Sequence, residues 1–143
     1  METLYRLVYT SARRKDCDDK EIQNILASCK KNNPGKNITG LLIQTENRFL
    51  QVIEGDKDEV LGLSEKIKKD PRHGGVNIRF EQKVDKRLFP NWHMAFKDIS
   101  KDDIQFQSKI SEEDKKSYEA MMEGDISAYN DRGMNVLKTF VSM

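Results

Sequence analysis

Two polar side chains, a tyrosine and a glutamine, are notable because each lies among large apolar residues on a predicted β-strand. Tyr9 belongs to "LYRLVYT" and Gln51 to "RFLQVIEG". A buried amide that lacks a partner costs about 1–3 kcal/mol, so Gln51 predicts either a solvated face or a hydrogen-bonding group packed against it. A buried tyrosine and glutamine on neighbouring strands could satisfy each other, or could present their polar atoms to a ligand. The residues alone leave both interpretations open.

Residue types that support conventional catalysis or metal binding are sparse in this sequence. His73 and His93 are the only histidines and lack metal-ligand spacing, and no G-x-S-x-G, GxGxxG or P-loop pattern is present. The acidic pairs Asp18–Asp19 and Asp102–Asp103 come where helices are predicted to begin, and carboxylates at such positions cap free backbone N–H groups. We therefore expect no metal site and no enzymatic activity.

The elements that must position the tyrosine and the glutamine follow from hydrophobic periodicity. Alternation predicts strands over 4–10, 48–55 and 76–84, and a last short strand in "FPNWHMAF". A largely apolar run predicts a further strand over 38–45, which the short turn at Glu46 and Asn47 joins to the next strand as a hairpin. On the fourth strand we expect one face to hold Val76, Ile78, Phe80, Gln82 and Val84. A first helix has its apolar residues at helical spacing, and a second begins at the cap residue Asp56. The apolar residues of the first helix are Ile22, Ile25, Leu26 and Cys29.

The resulting order, βαββαββ, is typical of the α+β ferredoxin-like fold, here with a mixed sheet and two helices on one face. Right-handed crossovers make the strands that start at Leu4 and Arg48 central neighbours, so Tyr9 and Gln51 can form a hydrogen bond beneath the two helices. Both faces of these strands are apolar, and we expect C-terminal helices to cover the second face. Ser100 and Ser111 are predicted caps, Gly124 is a predicted stop, and the stretch from Asp125 to Met143 predicts one weaker helix. We assign residues 1–96 to the sheet domain and 97–143 to a C-terminal helical extension.

Composition narrows the classes of partner. The 143 residues include 25 Lys+Arg and 24 Asp+Glu, which gives a net charge of +1. Because the charges are so evenly balanced, the protein is not expected to be a dedicated nucleic-acid or membrane binder. Two cysteines form no disulfide framework, which favours a reducing, cytoplasmic setting. We find no signal peptide and no apolar run of the ~20 residues that a membrane span needs.

Five stretches in series carry a resemblance to a known family: "LYRLVYTS", "NNPGKNITGLL", "FLQVIEG", "KDPRH" and "FPNWHMAF". Together they resemble the BLUF family, blue-light sensors that use FAD, from about Leu4 to Phe96. The family fold is a ferredoxin-like βαββαββ, as the periodicity predicts. The resemblance implies that the first domain binds FAD non-covalently and that the protein is a photoreceptor. It also implies that the protein signals by photochemistry and does not turn over a substrate.

The resemblance also implies roles for individual residues. Tyr9 matches the tyrosine that donates an electron and a proton to the excited flavin. Gln51 matches the glutamine that bridges this tyrosine and the flavin N5/O4 edge and that is rotated or tautomerised after light. The other implied positions are Asn32 and Asn33 at the flavin's polar edge, Ile25 and Phe49 in the apolar wall, Arg72 and His73 at the ribityl and phosphate groups, and Trp92 and Met94 in signal relay to the C-terminal helices.

The output of such a sensor is expected to lie outside this chain. The stretch after Phe96 is too short for a cyclase or phosphodiesterase domain, so we expect a short stand-alone sensor that acts on a separate downstream protein or on its own homo-oligomer. The apolar stretch Met134–Met143 either serves as that interface or packs on the sheet.

Two other classes of protein use the same fold. An acylphosphatase-like hydrolase needs an arginine in a phosphate-cradling loop; Arg13 and Arg14 follow the first strand, but "TSARRKDCDD" contains no glycine to shape a cradle. An RNA-recognition module places exposed aromatic residues on its two central strands, a pattern that is absent here.

Overall fold

The computed structural model describes residues 3–13, 20, 23, 24, 27, 31, 35, 37–45, 48–69, 73–88, 95–98, 111–123 and 125–141. The strands are β1 (Leu4–Arg13), β2 (Thr39–Gln44), β3 (Arg48–Asp56), β4 (His73–Lys83) and β5 (Ala95–Asp98). The helices are α1 (Lys57–Lys69), α2 (Glu112–Glu123) and α3 (Asp131–Val141), and Ile126–Ala128 forms a 3₁₀ turn.

The segment between β1 and β2 is helical at each described position from 20 to 35. Residues 20, 23, 24, 27 and 31 are all exposed, and their spacing places them on one side of a helix. They therefore form the solvent side of the predicted first helix, whose apolar positions lie outside the described residues. Asn37 has a left-handed backbone (φ 54°) one residue before the buried Ile38, a conformation that asparagine tolerates at helix ends.

The five strands form one mixed sheet in the order β4-β1-β3-β2-β5. Every neighbouring pair is antiparallel except β2 and β5, which are parallel. The predicted hairpin of β2 and β3 is present, and the Thr45 N–H donates to the Arg48 carbonyl at 2.9 Å across its turn. The α+β ferredoxin-like prediction is thus confirmed, including the central pairing of β1 with β3.

Each face of the sheet has its own core, as the apolar central strands predict. On the side of α1 the core contains Tyr5, Leu7, Tyr9, Ile38, Ile53 and Val60. On the opposite side the sheet residues Val8, Leu41, Ile43, Leu50 and Val52 pack against Tyr118, Met121, Met122, Tyr129, Met134, Val136 and Leu137. The C-terminal helices therefore cover the second face, which leaves no open platform there for stacked bases.

The apolar C-terminal stretch had two interpretations, an interface or a packing element. Met134, Val136 and Leu137 are buried in the second core, so packing on the sheet is confirmed for these three residues. The last residues, 142 and 143, lie outside the described part of the chain.

The predicted alternation along β4 is wrong beyond its middle, because the pairing of β4 with β1 shifts register at two places. Tyr9 pairs with Ile78 whereas Val8 pairs with Phe80, so the extra residue Arg79 reverses the phase. Ile78 accordingly packs in the α1-side core and Phe80 in the opposite one. A second irregularity lies near Gly75, whose positive φ of 62° suits glycine.

The C-terminal helices begin at capped positions. The Asp114 N–H donates to Ser111 Oγ at 3.1 Å, so the predicted cap of α2 is confirmed. The sequence favoured one weak helix after Gly124, but the structure has the 3₁₀ turn and then α3, where the Gly133 N–H donates to Asn130 Oδ1 at 2.9 Å. No described helix is long and apolar enough to span a membrane.

Candidate functional site

The tyrosine and the glutamine lie directly opposite each other on the two central strands. Tyr9 of β1 and Gln51 of β3 are Cα partners in the antiparallel ladder. Both are buried, with 1% and 3% of their surface exposed, and the Tyr9 hydroxyl donates to Gln51 Oε1. The expected hydrogen bond is therefore present on the α1 side of the sheet, and it explains how a glutamine is tolerated between Phe49 and Ile53.

This pair belongs to one row of residues that crosses the whole sheet. Ile78 pairs with Tyr9, Gln51 pairs with Leu42, and Leu42 pairs with Phe96 of β5. Gln51 thus has Leu42, 1% exposed, between it and the last strand. β2 is therefore the single strand that lies between β5 and the position of Gln51 in β3.

A second row lies next to the first, toward the β2–β3 turn, and sequence reasoning missed two of its members. Phe49 pairs with Ser11 on one side and with Gln44 on the other. All three are buried: Phe49 is 0%, Ser11 3% and Gln44 2% exposed. The position of Gln44 could have been predicted, because the two-residue turn expected at Glu46 and Asn47 fixes which β2 residue pairs with Phe49.

The other predicted site residues have different outcomes. Phe49 is buried on the same face as Gln51, and its place in the apolar wall of a cofactor pocket stays a prediction. His73 is the first residue of β4, paired in the ladder with Arg13, and its side chain lies outside the described part. Six other predicted site residues lie wholly outside the described part of the chain: Ile25, Asn32, Asn33, Arg72, Trp92 and Met94. Contacts of these positions with a cofactor stay predictions.

The far end of the same face has a polar edge. The Tyr5 hydroxyl donates to Glu81 Oε1 at 3.2 Å, and the Lys57 ammonium lies 5.6 Å from the centre of the Tyr5 ring. Burial, and then the hydrogen bond and charge of Glu81, raise the pKa of Tyr5. Tyr5 is therefore held protonated and takes part in an edge contact, whereas Tyr9 lies with Gln51 in the interior.

On the opposite side of β3 a buried carboxylate joins three parts of the chain. Glu54 is fully buried, and its Oε2 accepts hydrogen bonds from Arg6 Nε at 2.9 Å and from the Leu88 N–H at 2.8 Å. The guanidinium of Arg87 adds bonds to Thr39 Oγ1 at 2.8 Å and to the Glu54 carbonyl at 3.1 Å. This network fixes the segment that follows β4 against the central strands.

The chemistry of the Tyr9–Gln51 pair suits a flat, polar-edged ring system. A phenol and a primary amide together supply O–H and N–H donors and oxygen acceptors. Phe49 and Ile53 flank Gln51 on the same face and are fully buried, so the polar atoms act in a low-dielectric setting. No group of three metal-ligating side chains occurs among the described residues. The donor set fits a heteroaromatic cofactor such as a flavin.

The sequence of the sheet region matches one protein family. The family model described as sensors of blue-light using FAD matches residues 4–95, the region that contains β1 to β4 and the first residue of β5. This chain belongs to the BLUF family. BLUF proteins sense blue light through a flavin, and the Tyr9–Gln51 pair of this BLUF chain lies within the matched region.

In similar proteins the matched region is a small part of a longer chain. A photoactivated adenylate cyclase subunit beta of Euglena gracilis is 30% identical over 89 residues, which is 62% of this chain and 10% of that protein. The blue light- and temperature-regulated antirepressor BluF of Escherichia coli (strain K12) is 30% identical over 73 residues, 51% of this chain and 18% of that protein. The chain thus spans less than a fifth of the length of either relative.

Solved structures show the same fold. The dark-state structure of BlrB, a BLUF protein, aligns with a TM-score of 0.74 at 24% identity, covering 100% of this chain and 99% of that one. A bacterial light-regulated adenylyl cyclase aligns with a TM-score of 0.67 at 28% identity, covering 96% of this chain and 36% of that one. The similarity to BlrB includes the C-terminal helices as well as the sheet.

Proposed function

We propose that this BLUF protein is a blue-light photoreceptor that holds FAD non-covalently on the α1 side of the sheet, with Tyr9 and Gln51 as its photochemical pair. The observation that carries the proposal is the buried hydrogen bond from Tyr9 to Gln51 Oε1 on the central strands of the family-matched region. When bound, FAD supplies absorption of blue light and an excited state that is a strong oxidant.

Tyr9 would give up an electron to the excited flavin and release its hydroxyl proton at the same time. Its hydroxyl proton points toward Gln51 Oε1, so an acceptor for that proton lies within the chain itself. Burial keeps water away from the pair, and both partners return to their original charge when the electron and the proton come back. Tyr9 is therefore reused in each cycle.

Gln51 is the residue that stores the change. The two ends of a primary amide are similar in shape but opposite in hydrogen-bonding character. A rotation of the amide, or its tautomerisation, exchanges an acceptor for a donor at Tyr9 without a change in packing volume. Such a side chain is a two-state element that a brief charge movement can switch.

The other binding contacts follow the family pattern. We assign Asn32 and Asn33 to the polar edge of the flavin, Ile25 and Phe49 to its apolar wall, and Arg72 and His73 to the ribityl and phosphate groups. The burial of Phe49 on the Gln51 face supports its part of this set. Trp92 and Met94 are assigned to signal relay, and they immediately precede β5 in the sequence.

The output of the sensor is proposed to be non-enzymatic. In the relatives the BLUF region belongs to proteins named as an adenylate cyclase subunit or an antirepressor. We propose that this chain acts through a separate downstream protein or a homo-oligomer, with residues 1–96 as sensor domain and 97–143 as the extension that carries the signal.

The decisive experiment is a visible absorption spectrum of the purified protein before and after blue light. We expect a yellow protein whose flavin bands shift reversibly to longer wavelength, and we expect the chromophore extracted by denaturation to be FAD. A colourless protein that cannot be loaded with FAD would disprove the proposal. Extraction of FMN alone would overturn the choice of FAD only.

A further inference from the structure

The strand that carries Gln51 is hydrogen-bonded directly to α2, the first of the C-terminal helices. Arg48, the first residue of β3, donates from Nη1 to the Met122 carbonyl at 2.7 Å. Met122 lies in the last turn of α2, where carbonyl groups have no partner within the helix. A guanidinium at this position both satisfies a carbonyl and opposes the negative end of the helix dipole.

The last turn of α2 is held by a second bond that does not involve the sheet. The Tyr129 hydroxyl donates to the Met121 carbonyl at 2.6 Å. Tyr129 lies between the 3₁₀ turn and α3, so this bond joins α2 only to the segment that follows it. Two adjacent carbonyls of one helix turn are thus capped by side chains from two different parts of the molecule.

Arg48 itself is exposed at the start of β3, and the core next to its bond joins strand and helix directly. Leu50 and Val52, on either side of Gln51 in β3, point to the face opposite Gln51 and belong to the same core as Met121 and Met122. The side chains of β3 therefore contact the cofactor side through Gln51 and the α2 side through its two neighbours. A shift of this strand necessarily acts on the end of α2.

We propose that Arg48 is a positioning residue that transmits the state of Gln51 from β3 to the last turn of α2. The inference rests on the proposed photoreceptor function. This connection begins on the strand of Gln51 itself and does not pass through β5. In the dark state the bond between Arg48 and Met122 is made. In the light state a displacement of β3 strains or breaks this bond.

The test compares Arg48→Met with Tyr129→Phe in the full chain loaded with FAD. Both changes remove one hydrogen bond from the same helix turn, but only the first removes a bond to β3. Three quantities are measured: the light-induced red shift, the rate of its dark recovery, and hydrogen–deuterium exchange over residues 118–125 in darkness and under blue light. Arg48→Gln, which keeps a polar but shorter side chain, serves as a second variant where methionine disturbs folding.

We expect the dark exchange over residues 118–125 to accelerate up to about tenfold in both variants, because each loses a bond that closes this turn. In Arg48→Met and Arg48→Gln the red shift persists, dark recovery becomes slower, and light no longer changes exchange at the end of α2. Recovery slows because the lost bond stabilises the dark geometry. Tyr129→Phe keeps the wild-type recovery rate and light response.

Wild-type recovery with an intact light response in the Arg48 variants would overturn the inference. So would a Tyr129→Phe protein that behaves like the Arg48 variants, because simple fraying of α2 would then explain both. A wild-type protein that shows no red shift contradicts the photoreceptor proposal itself, which keeps the two failures distinguishable.

Discussion

Tyr9 and Gln51 are Cα partners on the two central strands of the sheet, and the buried Tyr9 hydroxyl donates its proton to Gln51 Oε1. The two residues are 42 positions apart in the chain. Their contact depends on the crossover that places β3 next to β1, so the fold itself assembles the proposed photochemical pair before any cofactor is considered.

Replacement of Gln51 by leucine should retain the flavin and abolish the light-induced red shift. Leucine fills a similar volume in the apolar surroundings of Phe49 and Ile53, but it has no amide that can exchange donor for acceptor. The measurement is the light-minus-dark absorption spectrum. Gln82→Leu is the matched control, since Gln82 is exposed on β4 and its loss should leave the red shift unchanged. A normal photocycle in Gln51→Leu would contradict the role assigned to Gln51.

Replacement of Tyr9 by phenylalanine should abolish the productive photocycle at a small cost in stability. The ring volume is kept, but the phenolic proton is gone, and loss of the hydrogen bond lowers the free energy of unfolding by about 0.5–1.5 kcal/mol. Flash spectroscopy and urea unfolding check the two parts. Tyr5→Phe, on the same strand and face, should keep the red shift. Equal photochemistry in both variants would show that the hydroxyl of Tyr9 is dispensable.

Replacement of Glu54 by glutamine should destabilise the protein strongly. The change leaves the mostly buried Arg6 without a carboxylate, and breaking a buried ion pair from one side costs about 3–5 kcal/mol. Glu65→Gln is the control, because Glu65 pairs with Lys68 at 3.3 Å on the surface, with their side chains 64% and 39% exposed, and such pairs contribute about 0–1 kcal/mol. Urea unfolding of both variants measures the difference; equal stabilities would disprove the structural role of Glu54.

Two glycine-to-alanine changes should alter stability in opposite directions. Gly62 lies within α1, and a Cβ there meets no atom within 4 Å, so alanine should stabilise the helix by about 0.5–1 kcal/mol. A Cβ on Gly133 would lie 2.1 Å from the Ala128 carbonyl oxygen, and alanine should destabilise the protein by about 1–3 kcal/mol. Thermal unfolding tests both, and a stabilised Gly133→Ala protein would contradict the close packing of α3 against the 3₁₀ turn.

Stability should fall at alkaline pH through Tyr129. Burial raises the pKa of Tyr129, an effect that the charge of Arg79 only partly opposes. Above the unfolded-state pKa of about 10 the unfolded chain loses this proton first, so the free energy of unfolding decreases by up to about 1.4 kcal/mol per pH unit. Urea unfolding between pH 8 and pH 11 should show a shallower decline in Tyr129→Phe. An unchanged slope would show that Tyr129 ionises freely in the fold.

Much of the candidate site follows from local pattern. The two-residue turn predicted at Glu46 and Asn47 implies the register of β2 and β3 that the structure has, including the pairing of Leu42 with Gln51. The cap at Ser111 and the C-terminal cover of the sheet also follow from the sequence, because a cap is a local hydrogen bond and apolar residues on both faces of a strand require two covering layers.

The features that sequence reasoning missed depend on contacts between distant residues. Alternation placed Ile78 and Phe80 on one face, but the bulge at Arg79 sends them to opposite cores. The α3 residues were predicted to continue one helix from Asp125, whereas the close approach of Gly133 to Ala128 separates a 3₁₀ turn from α3. Neither event changes the local hydrophobic pattern enough to be detected.

The sequence by itself determined the order of elements, the apolar faces of the central strands, and the identity of the tyrosine and glutamine that must share a face. These properties depend on residue type and short-range spacing, which the printed sequence contains in full. Only the tertiary structure decided that Arg48 reaches the Met122 carbonyl and that Glu54 joins Arg6 to Leu88. Such contacts depend on how two covered faces pack in three dimensions, and residues more than 30 positions apart meet there without any periodic signal in the chain.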